Sequence, residues 1–119
     1  MKTIDRILAC VLILGGLGHA AGSCIGYRHE PLTLLWALSA SLYSLLVAAV
    51  NLLRAGRPTD RPLAWIAGVG SLALSISAFT FGVLTGNVFD ARALVNSLAA
   101  LALAGFSAKT ALGAAKARP

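Results

Sequence analysis

The polar side chains that could bind a ligand or carry a proton are few, and they lie within long apolar segments. His19 is the one basic or acidic side chain well inside such a segment, and Ser23 lies one helical turn beyond it. A polar group surrounded by lipid must find a hydrogen-bond partner or water, which makes it a functional candidate. The candidate ligand-binding residues are His19, Ser23, Ser41, Tyr43, Ser44 and Asn51.

Three interpretations of His19 are open from the sequence. A neutral imidazole could bond to a serine, to Tyr43 or to a backbone carbonyl of a neighbouring helix, which would be a structural role. It could also contact a ligand or exchange a proton, or it could ligate haem or another metal. His29 cannot share one metal with His19, because a straight helix separates them by nearly three turns. The serines of the second segment have a structural interpretation too, since they can bond back to their own backbone.

No catalytic or metal-binding motif is recognisable in the sequence. Each acidic residue lies at the edge of an apolar segment near a basic one, as helix caps and interfacial ion pairs do; the four are Asp5, Glu30, Asp60 and Asp90. Cys10 and Cys24 lie about 21 Å apart along one predicted helix, too far for a disulfide. We therefore expect no enzymatic activity, no metal and no resident cofactor.

The amino-acid composition predicts that most side chains are surrounded by lipid. The 119 residues are 58% hydrophobic and 12% charged, with a mean hydropathy of +0.83. A soluble domain has about 25% charged residues. The apolar residues form blocks of about 20, which match the thickness of the hydrocarbon layer. The sequence thus predicts an all-α integral membrane protein with the lipid bilayer as its partner.

Four apolar blocks predict four transmembrane helices, at about 4–26, 32–53, 62–86 and 89–115, in a single domain that covers 1–119. Pro31 and Pro62 stand where a first helical turn tolerates a missing amide hydrogen. Thr59 or Asp60 can cap the third helix, and Asp90 can cap the fourth. The joints between the blocks are short, so consecutive helices should be antiparallel neighbours in an up-down bundle.

The basic residues predict the orientation of the bundle. One side of the predicted membrane has eight of them, and the other side has Arg28 and Arg92. The eight are Lys2, Arg6, Arg54, Arg57, Arg61, Lys109, Lys116 and Arg118. Lys and Arg concentrate on the cytoplasmic side, so both termini should be cytoplasmic and the protein should be a multi-pass protein of the inner membrane. Because these charges are scattered singly, we expect no binding of nucleic acid.

Small residues recur at helical spacing and predict close helix packing. The first helix has a GxxxGxxxG series, and the third and fourth helices have longer stripes of glycine, alanine and serine. Such faces let helix backbones approach where lipid offers no hydrophobic drive for association. The predicted packing residues are Gly18, Gly22, Gly26, Gly68, Ser71, Ser75 and Gly82. They favour a homo-oligomer or a complex with another membrane protein.

Two further features of the sequence have alternative interpretations. Lys2, Arg6 and the small residues from Ala20 to Ser23 are also compatible with a cleaved signal peptide, although we expect the segment to be retained. Trp36 and Trp65 could be interfacial anchors or core aromatic residues.

Length and number of spans are similar to those of the small multidrug resistance transporters. Those proteins have four spans and dimerise around a membrane-embedded glutamate in the first helix. The first helix here has His19 and no embedded acid, so that resemblance implies no proton-coupling residue for this chain. The segment from Leu35 to Leu53 resembles small bacterial membrane proteins.

Three functions follow as hypotheses. The first is a bacterial-type inner-membrane protein, not an enzyme, that acts by helix assembly with itself or with a membrane partner. The second is a small-molecule or proton-linked transporter or binding protein with a cavity near His19. The third is a redox module associated with haem or quinone.

Overall fold

The computed structural model describes residues 2–116, with side chains described through residue 113. It contains four helices, namely α1 (Lys2–Gly26), α2 (Pro31–Gly56), α3 (Arg61–Leu84) and α4 (Ala91–Lys116). No strand occurs within that part of the chain. All four helices are long and apolar enough to cross a membrane. The predicted all-helical class is therefore confirmed, while Arg118 of the charge count lies outside the described residues.

The helix limits have local causes. Pro31 is the first residue of α2, and Pro62 lies in the first turn of α3, where neither costs a helical hydrogen bond. Asp60 caps α3, because its Oδ1 accepts a hydrogen bond from the Leu63 amide at 3.0 Å. The chain leaves α3 through Gly86, whose φ of 72° suits a residue without a Cβ. α2 continues past its expected limit, so Arg54 is helical and does not belong to the joint.

The helices pack as two hairpins. α1 packs against α2 and α3 packs against α4 along most of their lengths, whereas α1 meets α4 and α2 meets α3 over shorter stretches. We call the end with the joints 27–30 and 85–90 the tip end. The opposite end, with Lys2, the joint 57–60 and Lys116, is the terminal end. The whole chain measures 59 × 23 × 22 Å.

The small residues of α3 and α4 pack against each other. A Cβ added to Gly68 would lie 3.4 Å from the Ser107 Cβ. Nearer the tips, Ser75 donates a hydrogen bond to the Ser97 carbonyl at 2.9 Å, and Ser97 donates to the Ser75 carbonyl at 3.0 Å. These reciprocal bonds join the helices where both serines are buried. Close approach and paired hydroxyls together explain why this is the most extensive helix pair.

The glycines of α1 divide into a covered set and an uncovered set. A Cβ on Gly16 would lie 3.3 Å from both the Leu45 side chain and the Ser41 carbonyl oxygen, so this glycine lets α1 approach α2. The predicted packing glycines of α1 behave differently: apart from chain neighbours and the adjacent backbone of α1, no heavy atom lies within 4 Å of a Cβ placed at them. These uncovered positions are Gly18, Gly22 and Gly26.

We expect Gly16→Leu to lower the thermal stability of the purified protein, because its side chain would push α1 away from the backbone of α2. Overpacking of this kind costs roughly 1–3 kcal/mol. Gly105→Leu is the matched control, since a Cβ there meets open space. The midpoint of thermal unfolding in detergent measures both. Equal midpoints for the two variants would contradict the packing described for Gly16.

Candidate functional site

A buried ion pair joins α1 to α2 near the terminal end. The Arg54 guanidinium NH2 donates a hydrogen bond to Asp5 Oδ1 at 2.6 Å. Arg54 is 2% exposed and Asp5 is 4% exposed, so both charges are buried inside the bundle. Charges are almost never buried unless they are paired, and here each is the partner of the other.

The Arg54 guanidinium also bonds to neutral side chains. Its Nε donates to Asn51 Oδ1 at 3.3 Å, one turn back along α2. Its NH1 donates to Thr110 Oγ1 of α4, also at 3.3 Å. Thr110 in turn donates to the Phe106 carbonyl at 3.0 Å, which orients its hydroxyl oxygen. One cation therefore connects three of the four helices.

Asn51 connects α3, the fourth helix, to the other three. Its Nδ2 donates to Ser71 Oγ of α3 at 2.8 Å and to its own helix at the Val47 carbonyl, 2.9 Å away. Its Oδ1 accepts a further hydrogen bond from Ser107 Oγ of α4 at 3.3 Å. Asn51, Ser71 and Ser107 are all fully buried. We call this set the polar network; its members are Asp5, Asn51, Arg54, Ser71, Ser107 and Thr110.

The polar network is suited to holding helices in register. Asn51 uses both amide hydrogens and its oxygen within the protein, and the Arg54 guanidinium bonds through all three of its nitrogens. A buried pair of this kind adds little net stability, but removal of one partner leaves an uncompensated buried charge. Among the described residues, no group of three or more His, Cys, Asp or Glu side chains is placed to hold a metal ion.

The candidate ligand-binding residues occupy different places. Ser44 is buried and donates to the Leu12 carbonyl of α1 at 3.2 Å, and the Tyr43 hydroxyl donates to the Gly70 carbonyl of α3 at 2.9 Å. Ser41 is buried and bonds back to the Ala37 carbonyl at 3.1 Å. Ser23 is buried as well. Tyr43 and Ser44 thus join α2 to neighbouring helices, whereas Ser41 bonds within its own helix.

His19 is exposed on the surface of α1, well toward the tip end. It makes no hydrogen bond with another residue of the described chain, so the tie to a neighbouring helix that one interpretation required is not formed within this chain. The structure therefore does not bring His19 together with Ser41, Tyr43 and Ser44.

Sequence reasoning missed Arg54, Ser107 and Thr110 as members of one site. Arg54 was assigned to the joint after α2 and Asp5 to the membrane edge. A signal was present: Asp5 lies about one turn inside the start of α1, and Arg54 lies less than one turn inside the end of α2. Antiparallel neighbours bring such positions to the same level, where opposite charges attract.

A second ion pair, at the tip end, is local and exposed. Arg92 NH2 donates to Asp90 Oδ2 at 2.8 Å, and the Arg92 amide donates to Asp90 Oδ1 at 2.9 Å, which caps the start of α4. Hydrogen bonds from the Arg92 side chain and amide lower the pKa of Asp90 to about 2. The Arg92 side chain is 89% exposed, so this pair stabilises the helix start and connects no helices.

Comparison with known proteins adds no identification: no family model, curated protein or solved structure matches this chain.

We expect Arg54→Met to destabilise the protein strongly, because it leaves the Asp5 carboxylate buried without a cation. Loss of one partner of a buried pair costs about 3–5 kcal/mol. The double variant Asp5→Leu, Arg54→Met should recover much of that loss, since no charge is then buried. The midpoint of thermal unfolding in detergent measures all three proteins.

Arg92→Gln is the control for this experiment, because removal of an exposed pair changes stability by about 1 kcal/mol or less. A single Arg54 variant as stable as Arg92→Gln would show that the polar network does not hold the helices together.

Proposed function

We propose that this chain is a protein of the inner membrane, not an enzyme, that spans the bilayer four times as an up-down bundle and acts by assembly with other transmembrane helices. The observation that carries the proposal is the uncovered glycine series of α1. Ser44, Asn51, Ser75 and Ser97 use their polar groups to join helices of the bundle. The uncovered surface of α1 is therefore the place proposed for recognition.

Membrane insertion is supported by the side chains on the outside of the bundle. Leucines, valines, isoleucines and aromatic residues are widely exposed, among them Leu14 at 71%, Ile25 at 78% and Phe89 at 83%. A water-soluble protein does not expose apolar surface on this scale. Trp36 and Trp65 are also outward, at 69% and 48% exposed, which is consistent with interfacial anchoring. In the hydrocarbon layer of a membrane, such an apolar surface is favourably solvated without being buried in the protein.

Assembly through α1 follows from what lipid does to helix association. Because lipid chains are as apolar as leucine, helices associate through close backbone packing and interhelical hydrogen bonds. Gly18 and Gly22 provide a flat face where a second helix could approach. His19 lies between them in sequence and is an exposed polar group that has no hydrogen bond within the described residues. A partner helix would cover both, and a second copy of this chain supplies the same face.

The assembly proposal predicts that Gly22→Leu weakens association in lipid vesicles, because the leucine side chain separates the helix backbones. Chains labelled with donor and acceptor fluorophores report association by energy transfer. We expect a loss of at least about tenfold in association, which corresponds to roughly 1.4 kcal/mol. Gly105→Leu should associate as the unaltered chain does, since its glycine is equally uncovered but lies on α4.

Equal energy transfer in the two leucine variants would overturn assembly through α1. Native mass spectrometry of the protein from mild detergent then separates the kinds of partner, because it reports the number of copies together with any other protein or small molecule retained. A monomer that retains a small molecule would favour a binding protein instead.

The orientation is tested with single cysteines in a chain whose Cys10 and Cys24 are replaced by serine. The excess of Lys and Arg predicts that Thr59→Cys lies in the cytoplasm and Asn87→Cys on the opposite side. A membrane-impermeant maleimide added to spheroplasts should label Asn87→Cys and leave Thr59→Cys unlabelled until the membrane is permeabilised. The reverse pattern would overturn the orientation, and labelling of both would overturn the four-span topology.

A further inference from the structure

The two hairpins are joined to each other over only part of their length. The apolar core between them consists of Ala9, Leu12, Val47, Ala48, Leu74, Ala99, Ala100 and Leu103. It occupies the middle of the bundle, and the polar network lies beyond it at the terminal end. Toward the tips few residues are buried. Ser23 is the one buried residue within 17–40, and Gly82 and Ala93 are the buried residues within 76–96.

The seam between α2 and α3 shows where the hairpins separate. Tyr43 and Val47 lie on one face of α2 and both reach Gly70, by a 2.9 Å hydrogen bond and by a Val47 methyl 3.6 Å from the position of a Gly70 Cβ. Trp36 continues the same face toward the tip and is 69% exposed. On α3, Phe81 lies three turns beyond Gly70 on the same face and is 51% exposed. The seam is closed at Gly70 and open at Phe81.

The seam between α1 and α4 ends at a similar depth. A Cβ on Gly15 would collide with the Asn96 carboxamide, so the two helices are in close contact there. One turn nearer the tip, His19 is exposed, and Gly26 has no heavy atom within 4 Å of its Cβ position. Asn96 Oδ1 is buried without a hydrogen-bond partner, which makes this last contact a weak one.

Each hairpin nevertheless holds together up to its own tip. In the second hairpin, a Cβ on Gly82 would lie 3.3 Å from the Asn87 carbonyl and 3.6 Å from the Ala93 Cβ. In the first, α1 packs against α2 along most of its length, and only residues 27–30 separate the two helices. Each hairpin is therefore one unit up to its own tip, and the two hairpins share a common base.

We propose that the two hairpins move as rigid units about the polar network, so that the tip end of the bundle opens and closes while the terminal end remains fixed. The network ties all four helices with directional bonds, whereas lipid provides no hydrophobic drive to close the open seams. Small residues at the seams, Gly26 and Ala40, let the faces approach each other. Closure would bring Trp36 and Phe81 together and would narrow the space between α1 and α4 on the tip side of Asn96. This gate belongs to one chain and does not depend on assembly.

Distances between pairs of spin labels test the gate in a chain that lacks Cys10 and Cys24, reconstituted at one chain per lipid nanodisc. The tip pair Ile25→Cys, Phe89→Cys spans the two hairpins, as does the terminal-end pair Ile4→Cys, Leu112→Cys; all four residues are exposed. We expect the tip pair to give a distance distribution at least about twofold broader than the terminal-end pair, or two resolved distances, as alternating conformations do. Equally narrow distributions would overturn the gate.

A third pair separates hinge motion from local fraying. Ile25→Cys and Leu35→Cys both lie at the tip of the α1–α2 hairpin and are exposed. A rigid hairpin predicts a narrow distribution for this pair. A distribution as broad as that of the tip pair would show that the helix ends move independently, which would overturn the proposal.

The fixed end is tested with the double variant Asn51→Leu, Thr110→Val. It should broaden the terminal-end distribution toward that of the tip pair, because the three network bonds that join the hairpins, Asn51 to Ser71, Ser107 to Asn51 and Arg54 to Thr110, are then gone. An unchanged terminal-end distribution would show that the network is not the pivot. If this variant does not fold, the comparison of the three pairs in the unaltered background still decides whether the gate exists.

Discussion

The rest of this bundle depends on how it accommodates a buried charge. Arg54 brings a guanidinium into the space between four helices, where neither water nor lipid can stabilise it. Asp5 neutralises the charge from α1, and Asn51 and Thr110 accept its remaining hydrogen bonds from α2 and α4. To reach the guanidinium, each of these partners must lie at one particular level along its own helix. The need to pair one cation thus sets the level at which three helices meet, and Asn51 extends this constraint to α3.

If the bundle lies in a membrane as proposed, the lipid surroundings explain why polar bonds and small residues, and not a large apolar core, hold the helices. In water, burial of leucine and phenylalanine drives helices together. Here many large apolar side chains face outward, and the core between the hairpins contains four alanines among its eight buried residues. Hydroxyl-to-carbonyl bonds supply direction, as between Ser75 and Ser97. Side-chain hydrogen bonds join the hairpins most densely toward the terminal end. Within the described chain no such bond joins the tips of the two hairpins, so the hairpins are held together least there.

The use of the interior for hydrogen bonds between helices supports the proposed role. A bundle whose interior is occupied by its own bonds has little room for chemistry, and its recognition surface is then its outside. α1 contributes in both places: Gly16 and Asp5 face inward, while Gly18, Gly22 and His19 remain uncovered. The same helix can therefore anchor the fold at the terminal end and present a face near the tip end.

The sequence by itself determined the secondary structure. Apolar blocks of membrane length, prolines at the starts of α2 and α3, and Asp60 before α3 each act locally, so their consequences can be derived without a fold. The small-residue stripes of α3 and α4 predict faces of close packing, because a helical repeat places such residues on one side of the helix. Ser71, Ser75 and Gly82 are buried as that pattern predicts.

Only the tertiary structure decided which polar groups meet. His19 was the most conspicuous candidate in the sequence, yet it is exposed, and Arg54, assigned to a joint, lies at the centre of the network. The glycine series of α1 had the same pattern as a buried packing face and is nevertheless uncovered. Periodicity fixes which residues share a face, but the direction in which that face points depends on the rotation and tilt of whole helices. Those are set by contacts between distant segments, such as the one between residues 5 and 54, which no local pattern contains.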